Sequence, residues 1–210
     1  MENILLVGAG GHCKVVLSIL MKNHEFSVFG ISDENKDLHG RYLLGYEIRY
    51  SEKDWEWVRG KCSNAFVAFG NIDIPYQRKE IYKKLLKSGF SMPVLRSNQS
   101  IIADDVIIGE GTVIMPGAII NTGSSIGKNC IINTGSIIDH DCTIGNHTHI
   151  APGVTCSGGL TVGDLCHIGT GATIIQSITI GSESLVASGA VVVRDVPKAS
   201  RVKGISARRF

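Results

Sequence analysis

Residues 131–144 read IINTGSIIDHDCTI, and an isoleucine returns in them at every sixth position. The same spacing runs without a slip through the second half of the chain. Neither the 3.6-residue period of a helix nor the two-residue period of a strand fits so long a pattern. A fixed six-residue period instead predicts a parallel β-helix built of stacked coils. The sixteen positions are Ile102, Ile108, Ile114, Ile120, Ile126, Ile132, Ile138, Ile144, Ile150, Cys156, Val162, Ile168, Ile174, Ile180, Val186 and Val192.

A second series of small or apolar residues follows four positions later, and the two series together would fill a narrow triangular interior. Its members are Thr112, Ala118, Ser124, Cys130, Ser136, Cys142, Thr148, Val154, Ala172 and Ala190. Cys130, Cys142 and Cys166 fall on inward positions, where we expect buried, unreactive thiols. We expect the glycines between the two series to supply the positive φ of tight corners. They are Gly109, Gly117, Gly127, Gly145, Gly163 and Gly181.

The front of the chain alternates between two kinds of pattern. Short apolar strands are predicted at 4–7, 27–31 and 65–69, and amphipathic helices at 14–22 and 76–87. Such alternation indicates a small parallel sheet. The sequence therefore predicts an α/β domain followed by an all-β domain.

A glycine-rich turn, Gly8-Ala9-Gly10-Gly11-His12, follows the first predicted strand. The dinucleotide fingerprint G-x-G-x-x-G is incomplete here, because Cys13 stands at its third glycine. Main-chain N–H groups at a helix start still favour an anion such as a phosphate. Asp33, at the end of the second strand, can accept hydrogen bonds from a nucleoside. A plain turn beside a solvated acid is the alternative.

Composition excludes several classes of function. The net charge of +2 gives no signature of nucleic-acid binding or of membrane insertion. The first apolar stretch, residues 4–7, is too short for a signal peptide. Six cysteines without framework spacing favour reduced thiols, and so a cytoplasmic protein.

The hexads and the strand–turn–helix front together resemble the bacterial hexapeptide-repeat sugar acyltransferases. This family includes the nucleotide-sugar N-acetyltransferase of the bacillosamine pathway and the sialic acid O-acetyltransferases. The resemblance implies a small Rossmann-like domain over residues 1–95. It implies a left-handed parallel β-helix, with three hexads per coil and a C-terminal tail, over residues 96–210. It also implies a homotrimer with each active site between two subunits. The linker at 96–100, RSNQS, departs from the His-Pro-Ser-Ala stretch that is common in the family.

The Gly-His turn resembles the substrate-binding turn of the amino-sugar branch of the family, and residues 45–48 resemble a loop that borders the nucleotide. The substrate residues implied are Gly10, Gly11, His12, Asp33 and Gly45.

Residues 139–141 carry the predicted chemistry. Ile138 and Cys142 are inward by the hexad count, so these three residues lie on an outer corner where His140 and Asp141 can approach each other. A histidine is the natural base for acyl transfer from a thioester, and a neighbouring carboxylate can orient its ring. The resemblance likewise implies His140 as the base and Asp141 as its partner, where relatives more often have Glu.

His147 and His149 raise a metalloenzyme as a rival, because the gamma-class carbonic anhydrases bind zinc through three histidines on the same fold. His140 or His167 would supply the third ligand, and His149 and His167, eighteen residues apart, would stack on one face. The acyltransferase pattern favours no metal and a solvated His147. The family instead implies acetyl-CoA contacts from His149, Gly158, Thr170, Ser188 and Gly189. Lys203, Arg208 and Arg209 are candidates to meet the CoA phosphates, or form a solvated tail.

The sequence thus predicts an acetyl-CoA-dependent N-acetyltransferase that acts on a nucleotide-activated amino sugar, such as a UDP-4-amino sugar, by histidine base catalysis and direct acyl transfer. O-acetylation of sialic acid or another sugar is one alternative. A non-catalytic scaffold that binds a nucleotide sugar is another.

Overall fold

In the computed structural model, which describes residues 1–204, the front of the chain alternates strands and helices as predicted. Its elements are β1 (Glu2–Val7), α1 (Gly11–Asn23), β2 (Phe26–Ser32), β3 (Tyr42–Leu43), β4 (Tyr46–Tyr50), α2 (Trp55–Arg59), β5 (Asn64–Val67) and α3 (Tyr76–Lys87), with short 3-10 turns at Lys36–Leu38 and Glu52–Asp54.

These strands form one sheet in the order β3-β4-β2-β1-β5, parallel except for the β3–β4 hairpin. Ile4, Leu5 and Leu6 of β1, an interior strand, are fully buried, because packing on both faces is what a parallel sheet requires. The predicted Rossmann-like domain is confirmed. Helix α1 begins at Gly11, three residues before the predicted start, because the glycine turn leads directly into it.

The rest of the chain is a series of two-residue strands separated by tight corners. They are β6 (Leu95–Arg96), β7 (Ile101–Ile102), β8 (Ile107–Ile108), β9 (Val113–Ile114), β10 (Ile119–Ile120), β11 (Ser125–Ile126), β12 (Ile131–Ile132), β13 (Ile137–Ile138), β14 (Thr143–Ile144), β15 (His149–Ile150), β16 (Thr155–Cys156), β17 (Thr161–Val162), β18 (His167–Ile168), β19 (Thr173–Ile174), β20 (Thr179–Ile180), β21 (Leu185–Val186), β22 (Val191–Val192) and β23 (Arg201–Val202).

The strands stack into three parallel sheets that close a left-handed β-helix, which confirms the predicted fold. Face 1 contains β7, β10, β13, β16, β19 and β22. Face 2 contains β8, β11, β14, β17 and β20. Face 3 contains β6, β9, β12, β15, β18, β21 and β23. Strands on one face pair in a register of eighteen residues, as between Ile119 and Ile137.

Both predicted series line the interior of this β-helix. The large series is buried except at its first two members, Ile102 and Ile108, which are partly covered at the end of the stack. The whole small series is buried, and all six cysteines are buried free thiols. Buried hydroxyls keep hydrogen-bond partners, as where Thr112 Oγ1 donates to the Gly127 carbonyl at 2.8 Å.

The expected role of the glycines is wrong for five of the six. Positive φ falls on every sixth residue from Gly111 to Gly189, and of the six only Gly117 belongs to that series. Gly109, Gly127, Gly145, Gly163 and Gly181 form a different stack, in which successive coils come too close for a side chain. A Cβ on Gly145, for example, would lie 2.5 Å from the Gly163 carbonyl carbon.

The N-terminal domain packs on face 3. Val113 and Ile131 point outward from that face into a buried cluster with Ile4 and Leu17. Strand β6 contains the predicted boundary at 95/96 and already pairs with β9, so the exact division into 1–95 and 96–210 stays a prediction. Within residues 1–204, every helix is too short or too polar to cross a membrane.

Candidate functional site

A cleft of about 310 Å³ opens at the carboxyl end of the parallel sheet. Gly8, Ala9 and Gly10 line one side of it, and Asp33 lines another. Open α/β sheets bind their ligands at this edge. The structure therefore brings two of the predicted substrate residues, Gly10 and Asp33, into one cavity.

The chemistry of this cleft suits an anion next to a polar group. Within the part of the chain that the structure describes, no side chain caps the amino end of α1, so its first N–H groups are available to a ligand. The Asp33 carboxylate is held in place, because Oδ2 accepts from the Ala9 N–H at 2.8 Å and Oδ1 from the Asn35 N–H at 2.9 Å. A Cβ on Gly10 would meet nothing within 4 Å, so the turn faces open space.

The other predicted substrate residues lie outside the cleft lining. Gly11 is the first, exposed residue of α1, and Gly45 is in the β3–β4 turn with φ +88°. The His12 ring turns instead towards Gly70, where a Cβ would lie 3.6 Å from its Nδ1. Burial lowers the pKa of His12 to about 3, so the ring is neutral. Its Nε2 has no hydrogen-bond partner among residues 1–204.

The predicted base lies on an exposed corner between face 1 and face 2. His140 Nδ1 is 2.8 Å from Asp141 Oδ2, and both side chains are more than half exposed. Asp141 occupies the positive-φ position of its corner, which aspartate tolerates better than most residues. The hydrogen bond to Asp141, and then the charge of Asp139, raise the pKa of His140. Because the carboxylate occupies Nδ1, Nε2 is the ring atom left to accept a proton.

The corner is held from the coil below by Asn121, which the sequence pattern did not single out, and by Ser124 of the small inward series. Asp139 Oδ1 accepts from Asn121 Nδ2 and from the His140 N–H, each at 2.8 Å. Ser124 Oγ donates to the Asp139 carbonyl at 2.9 Å. These contacts fix the main chain on which the His140 ring is mounted.

Gly158 lies beside the His140 ring in the next coil. The Gly159 N–H donates to the His140 carbonyl, so the two coils are in the predicted register. A Cβ on Gly158 would lie 2.5 Å from His140 Nε2. Therefore only a glycine at position 158 allows His140 Nε2 to remain in its present position.

His149 and His167 are stacked on face 3, as predicted, with ring centroids 5.0 Å apart. His149 is only 6% exposed. Its Nδ1 donates to the Asn71 carbonyl at 3.1 Å, and its Nε2 accepts from Asn133 Nδ2 at 3.0 Å. Neither ring nitrogen is free in this arrangement, so a contact of His149 with acetyl-CoA stays a prediction.

The expectation of a solvated His147 is wrong. The residue is half-buried, its ring lies edge-on to Tyr82, and its Nδ1 accepts from Asn129 Nδ2 at 2.9 Å. Burial lowers the pKa of His147 to about 4. In the described part of the chain, no group of three or more His, Cys, Asp or Glu side chains has an arrangement that could hold a metal ion.

The other four residues predicted to contact acetyl-CoA, apart from His149 on face 3, lie on two different corners. Gly158 is on the corner between face 1 and face 2, whereas Thr170, Ser188 and Gly189 stack on the corner between face 3 and face 1. The Gly189 N–H donates to the Thr170 carbonyl at 2.8 Å. Face 1 separates the two corners. Lys203 is exposed, and Arg208 and Arg209 lie outside the described residues.

Replacing Gly158 with alanine should displace the His140 ring from Asp141, because the new methyl group occupies the place of Nε2. We therefore expect the pKa of His140 in Gly158→Ala to fall towards its ordinary value, measured by NMR titration of the ring carbons. Gly60→Ala, on a remote turn, is the control and should leave the titration unchanged. An unaltered His140 titration in Gly158→Ala would show that the contact is not as tight as the geometry requires.

Comparisons with known proteins agree with this geometry. The PglD N-terminal domain family matches residues 3–85, and the bacterial transferase hexapeptide (six repeats) family matches residues 123–158. The structure of PerB from Caulobacter crescentus, in complex with CoA and GDP-perosamine, is 33% identical over 99% of this chain and 97% of that chain, with a TM-score of 0.91.

Two further structures are similar over nearly their whole length. The acetyltransferase domain of PglB from Neisseria gonorrhoeae is 30% identical and covers 97% of each chain, with a TM-score of 0.89. WeeI from Acinetobacter baumannii is 30% identical with the same coverage and a TM-score of 0.86. The family predicted from the repeats and the glycine turn is thereby confirmed. The chain belongs to the bacterial hexapeptide-repeat sugar acyltransferases and is an acetyltransferase.

Proposed function

We propose that this protein transfers the acetyl group of acetyl-CoA to the amine of a nucleotide-activated amino sugar. The observation that carries the proposal is the exposed His140–Asp141 pair, with Nε2 open beside Gly158, on the scaffold of an acetyltransferase. The nucleotide would bind in the cleft at Gly10 and Asp33. The similar Caulobacter protein is a perosamine N-acetyltransferase that was crystallised with CoA and GDP-perosamine, which favours N- over O-acetylation.

The reaction proposed is direct. His140 Nε2 takes a proton from the sugar amine while the amine nitrogen attacks the thioester carbonyl carbon. A C–N bond forms and the carbonyl becomes a tetrahedral oxyanion. The oxyanion collapses, the C–S bond breaks, and CoA leaves as a thiolate that takes the proton from the His140 imidazolium, which restores the neutral base. Asp141 holds the proton on Nδ1 and stabilises the imidazolium as it forms.

The unpaired cysteines support a reducing compartment, and we propose the cytoplasm as the place of the reaction.

His140→Ala should lower kcat by roughly 10²–10⁴, the usual contribution of a positioned base, in a steady-state assay of CoA thiol release. The control is His24→Asn, which changes a remote histidine at a left-handed position that asparagine tolerates. Wild-type kcat in His140→Ala would contradict the assignment of the base, and abolition of turnover by a chelator with recovery on zinc would favour the metal alternative.

The pH dependence of kcat in the same assay gives a second test of the base. Because the pKa of His140 is raised, the base is protonated at low pH, and kcat should rise as the pH passes through a value above about 6.5. Asp141→Asn removes the main cause of the shift. Its profile should therefore move to lower pH, with a smaller loss of kcat than in His140→Ala.

A panel of UDP-, GDP-, dTDP- and CMP-linked amino sugars, followed by product analysis, tests the substrate class and the site of acetylation. Gly10→Leu should raise the KM of the accepted sugar nucleotide far more than that of acetyl-CoA, because its side chain would enter the cleft. Equal effects on both KM values, or tight binding of NAD to the wild type, would count against a nucleotide-sugar cleft. Failure of every sugar to release CoA would leave the non-catalytic scaffold.

We further propose a homotrimer in which face 1 meets a second copy. Three outward residues of this face on successive coils, Ile101, Ile119 and Ile137, form an apolar stripe next to the corner of His140, exposed at Ile101 and Ile137. Beyond two threonines, Val191 is a further exposed apolar residue on the same face. The outward positions of face 2 are mostly serine and threonine. If face 1 packs against a second copy, one CoA molecule could contact both of the corners predicted to bind it. One corner would come from each of two subunits.

Light scattering at micromolar concentration should therefore give three chains per particle. Ile119→Lys, which puts a charge in the apolar stripe, should yield smaller particles. Thr161→Lys, on face 2, should leave the trimer intact. A fully active monomer would overturn the proposed assembly.

A further inference from the structure

Arg78 is a buried cation that has no counter-ion among residues 1–204. It is 1% exposed, although it belongs to a helix with an otherwise charged surface. All six ion pairs of the described residues involve other side chains. Burial lowers the pKa of Arg78 only to about 9, so the guanidinium remains charged at neutral pH. A charge buried in this way opposes folding unless fixed dipoles compensate it.

Main-chain carbonyls from both domains compensate Nη1 and Nε of this group, whereas Nη2 has no hydrogen-bond partner among residues 1–204. Nη1 of Arg78 donates to the carbonyls of Val67 and Phe69, at 2.6 and 2.8 Å. Nε donates to the carbonyl of Asn129 in the β-helix, at 3.3 Å. The cation also lies 5.7 Å from the ring centre of Phe66. The planar guanidinium thereby ties the end of β5 to a corner of the β-helix.

The segment that Arg78 holds meets the glycine turn on one side. Phe69 packs against Gly8 so closely that a Cβ there would lie 2.8 Å from its ring. Gly70 lies against the ring of His12. By binding these carbonyls, Arg78 therefore fixes the position of the segment that forms one wall of the nucleotide cleft.

The same segment, through Asn71, sets the tautomer of His149 and forms a hydrogen bond with His167. A carbonyl oxygen only accepts, so the Asn71 carbonyl requires the proton of His149 to be on Nδ1. This leaves Nε2 of His149 as the acceptor for Asn133. The Asn71 amide also donates to Nδ1 of His167 at 3.3 Å. Two residues before Asn71, the peptide carbonyl of Phe69 is bound to Arg78.

We propose that Arg78 is a positioning residue, which sets the geometry of the nucleotide cleft and of His149 together through the carbonyls of Val67, Phe69 and Asn129. The proposal rests on the proposed function for its link to the two substrates. His140 is on a different corner, and the hydrogen bonds that Arg78 makes within residues 1–204 do not reach it. Arg78 therefore acts on binding and alignment and leaves the base itself unchanged.

Arg78→Met tests this, because methionine fills the space without donating a hydrogen bond. In the trimeric full chain labelled with ¹⁵N-histidine, NMR should show the Nδ1–H tautomer of His149 in the wild type, assigned by loss of its signal in His149→Gln. In Arg78→Met this single tautomer should be lost. The KM values of both substrates should rise about 10- to 100-fold, the cost of a small misplacement. The pKa of His140 should stay as in the wild type.

Two variants complete the design. Arg78→Lys keeps the charge but lacks the planar group that spans three carbonyls, so it should show intermediate KM values. Arg59→Gln removes an arginine that also donates to a main-chain carbonyl, that of Gly89, but far from the cleft, and should behave as wild type. If Arg78→Met does not fold, Arg78→Lys provides the same readouts.

A folded Arg78 variant with wild-type KM values and the wild-type His149 tautomer would overturn the proposal. A shift in the pKa of His140 in the same variant would also overturn the proposal, because it would indicate a general loosening of the fold. If the wild type acetylates no amino sugar, the proposed function fails on its own. The tautomer of His149, which is read without turnover, still decides whether Arg78 positions it.

Discussion

Each coil of the β-helix is held by its neighbours through main-chain hydrogen bonds in an eighteen-residue register, and the rest of the structure depends on that stacking. Two-residue strands are too short to be stable alone, so the ladders along the three faces supply the order. The coils come close together at the glycine stack from Gly109 to Gly181, where any side chain would strike the next main chain. An insertion of one residue would move every later side chain off its face.

The geometry of the catalytic corner follows from this constraint. Each corner from Gly111 to Gly189 has a residue at positive φ, and at the base that residue is Asp141, whose short side chain turns back to His140. Glycines must flank the pair: a Cβ on Gly123 below would lie 2.4 Å from Asp141 Oδ1, and one on Gly158 above would strike the His140 ring. The corner exposes the pair to solvent, so the raised pKa of His140 comes from its charged neighbours.

The outward ladder of face 3 changes in character along the β-helix. Val113 and Ile131 carry the hydrophobic packing of the N-terminal domain. His149 and His167, on the next two coils, meet the polar segment after β5. Face 3 therefore has two roles. Its apolar coils bury surface between the domains, and its histidines form hydrogen bonds with the segment next to the glycine turn.

The sequence by itself determined the β-helix, because a side chain must point inward at every sixth residue and only apolar or small groups fit there. It also determined the corner of His140, since the hexad count places residues 139–141 outside the core. The same count led to a wrong role for Gly109 and its stack, because the sequence of a single coil does not show how closely the next coil approaches it. It led to a wrong environment for His147, which Tyr82 of the other domain covers. Nothing in the amphipathic pattern of residues 76–87 distinguishes Arg78 from the other cations of that helix. Only the tertiary structure, which brings the carbonyls of Val67, Phe69 and Asn129 to one point, decided that it is buried.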